Sequence, residues 1–165
     1  MQAVNAIGFS LLFILLSGCG STVTTKDPKS SFKEKIPEFS EFVKSVIQTE
    51  PSATYIGTKY DIVETKSIVT PYTGEIIVEF DFTVLPGKTE RMACSANYKY
   101  VDDNWSDAAV QLNTGGLKKL INAMVQGASN KDEINEVKKL VIPVSQAVDR
   151  LNSKLVLDYE KSKKP

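Results

Sequence analysis

The chain has 165 residues, its 20 Lys and Arg balanced by 20 Asp and Glu, and it contains no histidine. A net charge of zero gives no electrostatic case for nucleic acid or for a broad anionic surface. The lack of histidine removes Ser-His-Asp and Cys-His nucleophilic sites, His-bearing zinc sites and the commonest general base.

Residues 1–18 carry no charged side chain, and Ile7 to Leu16 is apolar except for Gly8 and Ser10. Ten residues are too few to cross a hydrocarbon layer, which takes ~20 as a helix. The length fits the apolar region of a cleaved signal peptide. That run closes on Leu16-Ser17-Gly18-Cys19, which resembles the lipobox of bacterial lipoproteins at each position. The resemblance covers the first twenty residues only. It implies cleavage after Gly18, a diacylglycerol on the Cys19 thiol and a further acyl chain, such as palmitate, on the new amine. Several chains matter physically, because one acyl chain holds a protein to a membrane only marginally. The n-region departs from the pattern in having no Lys or Arg. Gly20 stands where an Asp would hold an enteric-type lipoprotein at the inner membrane. The expectation is therefore an exported protein, lipid-anchored to the cell envelope, and facing the periplasm from the outer membrane if the cell is diderm.

With Cys19 taken by lipid, Cys94 stands alone and no intrachain disulfide is expected. Residues 19–31 read as a lipidated tether. Gly20 to Ser31 is polar and includes Pro28, and twelve such residues reach at most ~40 Å. Residues 32–165 form one domain, large enough to bury roughly 70% of its unfolded surface.

The first helix is predicted from about Pro37 to Gln48, with Ile36, Phe39, Val43, Val46 and Ile47 on one stripe. Proline is best tolerated at the first helical position, which favours a start at Pro37 over one at Ser31. From Tyr55 to Leu112 the period falls to two. Ile76, Val78, Phe80, Phe82 and Val84 alternate with Glu79, Asp81 and Thr83, and Met92 to Tyr100 repeats the pattern. Leu85-Pro86-Gly87-Lys88 and Pro71-Tyr72-Thr73-Gly74 read as turns. Tyr55 to Val69 is a further strand whose alternation slips at Ile62-Val63, as at a bulge. Asp102-Asp103-Asn104 turns the chain into a last strand, Trp105 to Leu112. A helix then carries Leu117, Leu120, Ile121, Met124 and Val125. Asn130 caps another, with Glu133 as capping-box partner. In that last helix Ile134, Val137, Val141, Val144, Val148, Leu151 and Leu155 form a stripe interrupted only by Pro143. The stripe is expected to dock on the sheet beside Leu117, Ile121 and Val125.

The predicted class is α+β: a helix packed on a four-stranded antiparallel meander, followed by two C-terminal helices. This is similar, in architecture alone, to cystatin-like and NTF2-like folds, which host binders, inhibitors and enzymes alike.

Chemistry-bearing motifs are scarce. There is no Walker loop and no GxGxxG; Gly115-Gly116 is a turn before a helix. Asp102, Asp103, Asn104 and Asp107 resemble a calcium loop but lack Gly at the sixth position and Glu at the twelfth, so a hairpin turn explains them better. Asn104-Trp105-Ser106 matches a glycosylation sequon at a strand start, a poor acceptor. Cys94 reads as core filler. Glu79 and Asp81 share a strand face, as an acid and base would and as solvated strands commonly do. Tyr72 and Trp105 are candidate contact aromatics. No catalytic residue, metal site or cofactor is expected. The leading reading is a non-catalytic, membrane-tethered module binding an envelope protein or ligand. Its alternatives are an enzyme using carboxylates in an NTF2-like cavity, and an assembly subunit acting through its C-terminal helix.

Overall fold

In the computed structural model the residues described are 27–162, apart from the side chains of Asp107, Ala108 and Ser162. The lipobox lies outside them. The first helix, α1, is Pro28–Gln48. Asp27 caps it, accepting the Ser30 N–H at 2.9 Å and the Ser30 hydroxyl at 2.8 Å. These two bonds hold the Asp27 carboxyl below its ordinary range, with the hydroxyl contributing most. The predicted start at Pro37 is thus corrected: Pro28 takes the first helical turn, Pro37 lies inside the helix, and residues 28–31 leave the tether. The rule about proline and helix starts holds, but for a different proline. An interior proline costs about 3 kcal/mol. Extending the helix past it brings Phe32 into the core, where it is fully buried.

The four strands β1 (Ala53–Glu64), β2 (Tyr72–Leu85), β3 (Lys88–Val101) and β4 (Asn104–Asn113) form one antiparallel meander in the order β1-β2-β3-β4. The period-two reading holds in β2 and β3: Ile76, Val78, Phe80, Phe82 and Val84 are buried, as are Met92, Cys94, Ala96, Tyr98 and Tyr100. Val78 lies opposite Cys94 and Phe80 opposite Met92, so both apolar rows share one face. Pro86 and Gly87 make the β2–β3 turn, with Gly87 at φ 74°. Asp102 and Asp103 both have positive φ, 50° and 59°. This is the two-residue hairpin geometry whose twist matches the flanking strands.

The first strand departs from expectation. It ends at Glu64, its bulge lies at Tyr55–Gly57 instead of Ile62-Val63, and Tyr72 to Gly74 begin β2 where a turn was expected. Ile62 and Val63 sit in regular register; one is half-buried toward the core and the other 51% exposed on the far face. Two adjacent apolar residues there reflect a strand exposed on both sides, and no slip is needed.

After the sheet come α2 (Leu117–Gly127) and α3 (Lys131–Asn152), then a π-helical stretch, Ser153–Asp158, and a short α4, Tyr159–Ser162. Asn130 caps α3 by accepting the Asp132 and Glu133 N–H groups at 3.0 and 2.9 Å. Glu133 reaches back to the Ser129 N–H, one residue before the expected one. Pro143 does not end the helix.

The docking of the C-terminal stripe is corrected in part. Ala147, Leu151, Leu155 and Tyr159 are buried in the main core, whereas Ile134, Val137, Val141 and Val144 are half-buried and Val125 is exposed. The first half of α3 packs against α2 at the end of the sheet, near Val84 and Leu85. Leu151, Leu155 and Tyr159 are spaced by four residues each. In an α-helix each such step overshoots a full turn by about 40°. The wider π turn absorbs that drift and keeps all three on the sheet.

Gly74 gives a direct test of this packing. A Cβ there would run into the Phe32 ring. Glycine-to-alanine within a strand ordinarily stabilises slightly, so the sign is diagnostic. Gly74→Ala should lower stability by roughly 1–3 kcal/mol through overpacking, and adding Phe32→Leu should recover part of the loss. Denaturant melts of both proteins measure this; a Gly74→Ala protein as stable as wild type would place Phe32 elsewhere.

Candidate functional site

The helices cover one face of the sheet and leave the other open. On the open face, Glu79 and Asp81 alternate with the buried Val78, Phe80 and Phe82. Register sets Glu79 near β1 and Asp81 directly opposite Arg91. Lys59 donates to Glu79 at 2.9 Å, and Arg91 reaches both oxygens of Asp81, at 2.6 and 3.5 Å. The Asp81 carboxylate raises the Arg91 guanidinium above its ordinary value. Each of these two carboxylates is therefore matched to its own cation, part-exposed on the open face of the sheet. Such a pair contributes little, ~0–1 kcal/mol. Among the described residues, neither carboxylate borders the depression on this face or those along the C-terminal helices.

The NTF2-like alternative needs a hollow on the core side of the sheet. That side is filled by Phe32, Phe39, Val43 and Ile47 from α1 and by Leu151 and Leu155 from the C-terminal helix. A depression of about 310 Å³ lies on the open face, bordered by Asp61, Val63, Thr73, Glu75, Asn97 and Lys99. Among the described residues no group of His, Cys, Asp and Glu is arranged to hold a metal ion.

The aromatic candidates fall differently. Trp105 is 4% exposed and belongs to the core, which corrects its expected place at a contact surface. Its indole N–H donates to the Pro28 carbonyl at 2.9 Å, and its ring lies 4.6 Å from Phe32 and 5.2 Å from Tyr100. Tyr72 is half-buried, edge-on to Tyr100 at 6.1 Å. Asp102, Asp103 and Asn104 form the tight hairpin rather than a cation loop. Cys19 and Gly18 lie outside the described residues.

Residues that the sequence did not single out do meet here. Lys59 and Asp61 stand on the open face beside the free edge of β1, and Lys59 reaches a carboxylate twenty positions away. Only the strand register brings them together. The strict alternation of Lys59, Tyr60 and Asp61 was the available signal.

Comparison with known proteins finds no matching family model, no similar curated protein and no similar solved structure.

Cys94 is fully buried, and burial pushes its thiol from 9.0 up to about 12. Native protein should therefore react slowly with maleimide at Cys94 and rapidly once denatured; fast native labelling would place the thiol at the surface. The linkage sign follows from a folded value above the unfolded one. The stabilisation is complete below about pH 9 and is lost as pH rises toward 12, by about 3 kcal/mol. Cys94→Ala should start less stable at pH 7 and lose less between pH 9 and 12 than wild type, measured by denaturant melts across that range.

Proposed function

We propose that this protein is a lipoprotein of the bacterial envelope, held to its membrane through Cys19, with the α+β domain serving as a non-catalytic module that binds an envelope protein or ligand. Leu16-Ser17-Gly18-Cys19 directly after a ten-residue apolar run carries the anchor. The apolar run is itself too short to span a hydrocarbon layer, which takes ~20 residues as a helix, so this reading routes attachment through acyl chains on Cys19. Cleavage follows Gly18, and Gly20 is compatible with outer-membrane delivery in a diderm cell.

The non-catalytic half rests on where the carboxylates stand. Glu79 and Asp81 are paired with Lys59 and Arg91 on an open sheet, while the opposite face is packed with side chains. A catalytic acid or base gains its power from a shielded pocket that shifts its pKa; a flat polar sheet suits contact with another molecule.

Replacing Cys19 with Ser removes the acceptor thiol while leaving the domain intact. Labelled fatty acid should enter the wild-type chain and be absent from the variant, and the variant should leave the detergent phase. Equal labelling of the two proteins would sink the lipoprotein reading.

A further inference from the structure

Among the described residues the first strand lies at the edge of the sheet and pairs with β2 alone. Its hydrogen-bonding phase can be followed along the chain. Before the bulge the Ser52 carbonyl accepts from Thr83 on β2, so even-numbered residues face inward there. The extra residue at Tyr55–Gly57 reverses the phase. Beyond it the odd-numbered Thr65 donates across the hairpin to Pro71, and Thr58, Tyr60 and Ile62 turn their N–H and C=O groups to the open edge. Ile62 confirms the direction: its N–H bonds to the side chain of neighbouring Asp61 at 2.9 Å, with no strand to receive it. A long edge with free backbone groups is a template for another strand. This one also exposes Tyr60 by 48% and Val63 by 51%.

The side chains specify which strand fits. Lys59 and Asp61 flank Tyr60 on the open face and carry opposite charges, so the segment is self-complementary under antiparallel reversal about Tyr60. We propose that the β1 edge seats a second copy of this chain, paired antiparallel about Tyr60, with Lys59 of each copy opposite Asp61 of the other. In that register Tyr60 meets Tyr60 and Thr58 meets Ile62. All of these turn their backbone groups outward, so they form the hydrogen-bonded pairs of the ladder, roughly six bonds in all once the Ile62 N–H exchanges the Asp61 carboxylate for the partner strand. Lys59 and Asp61 fall in the closer, non-hydrogen-bonded positions, where side chains interact most directly. A slip of two residues either way, the nearest that keeps outward backbone groups facing each other, sets Lys59 against Lys59 or Asp61 against Asp61. Charge thus selects one register among neighbours that the backbone would accept equally. The product is one continuous eight-stranded sheet with both α1 helices on the same face. The inference does not depend on the lipid anchor.

The test is a charge-swap cycle in the full chain carrying Cys19→Ser, so that no shared micelle can join two copies. Light scattering over a concentration series reads the dimer, and circular dichroism checks folding. Without further change the chain should dimerise. Lys59→Asp and Asp61→Lys should each raise the dissociation constant roughly tenfold, because each sets like charges opposite at two symmetric places. The double variant, Lys59→Asp with Asp61→Lys, should restore it. A chain that stays monomeric at hundreds of micromolar, a dimer indifferent to the single changes, or a double variant that does not recover would each overturn the proposal. An independent reading comes from Lys59→Cys with Asp61→Cys in one chain: oxidation should give a disulfide-linked dimer. Lys59→Cys with Val63→Cys, which this register does not bring together, should not.

Discussion

The packing of Phe32 is the constraint on which the rest of the fold depends. Its ring lies 5.4 Å from Tyr98, edge-on, and 4.6 Å from Trp105, over a glycine at position 74 that leaves room for it. Those contacts draw on α1, β2, β3 and β4 at once. The indole of Trp105 adds the bond to the Pro28 carbonyl, which fixes the start of α1 against the start of β4. Burying a phenylalanine contributes about 1.5–3 kcal/mol, and aromatic pairs add ~0.5–1.5 each. Together these match or offset the ~3 kcal/mol cost of carrying Pro37 in the middle of the helix.

At the other end of the core the same role falls to Tyr159. It meets Phe39 edge-on at 5.2 Å and Phe42 at a tilt at 5.0 Å, and its hydroxyl lies 3.1 Å from that of Tyr98. The chain reaches this position only because the helix widens at Ser153–Asp158. The two ends of the domain are therefore joined through Tyr98, which touches Phe32 on one side and Tyr159 on the other. The half of α3 before Ala147 has no such tie. It packs on α2 and leaves Leu140 and Ile142 about half exposed.

Strand order, the core rows of β2 and β3 and the start of α3 were legible in the sequence because each rests on local rules: period-two alternation, a turn between strands, and an Asn with its capping geometry. The helix start was not, since it turns on whether Phe32 finds partners 42 to 73 residues away. The first strand was misjudged for a related reason. An edge strand exposed on both faces has no single apolar row to anchor a reading, so Ile62-Val63 mimicked a slip while the adjacent pair Tyr55-Ile56, at the actual bulge, read as the ordinary start of the strand. Trp105 was misplaced because an aromatic at a strand start looks the same whether it points to solvent or to a helix that arrives from far away. The ion pairs of Glu79 and Asp81 needed the register. Their partners, Lys59 and Arg91, lie on different strands, and nothing in the local pattern selects them.

A sheet covered on one face only has a consequence for what its polar residues can do. On the bare face a carboxylate and its cation sit in water, where a contact at 4 Å yields about 1 kcal/mol and salt screens the rest. Preorganised electrostatic stabilisation of a reaction requires the opposite, a dry site whose dipoles are already aimed. The same exposure favours association, because exposed ion pairs give up little when they exchange partners. Lys59 illustrates this. It now reaches Glu79 within its own sheet at 68% side-chain exposure, and a strand added at the β1 edge would offer it Asp61 without forcing it from the face it already occupies. The open face and the open edge thus meet at one residue, and the domain's polar chemistry is arranged for contact along its surface.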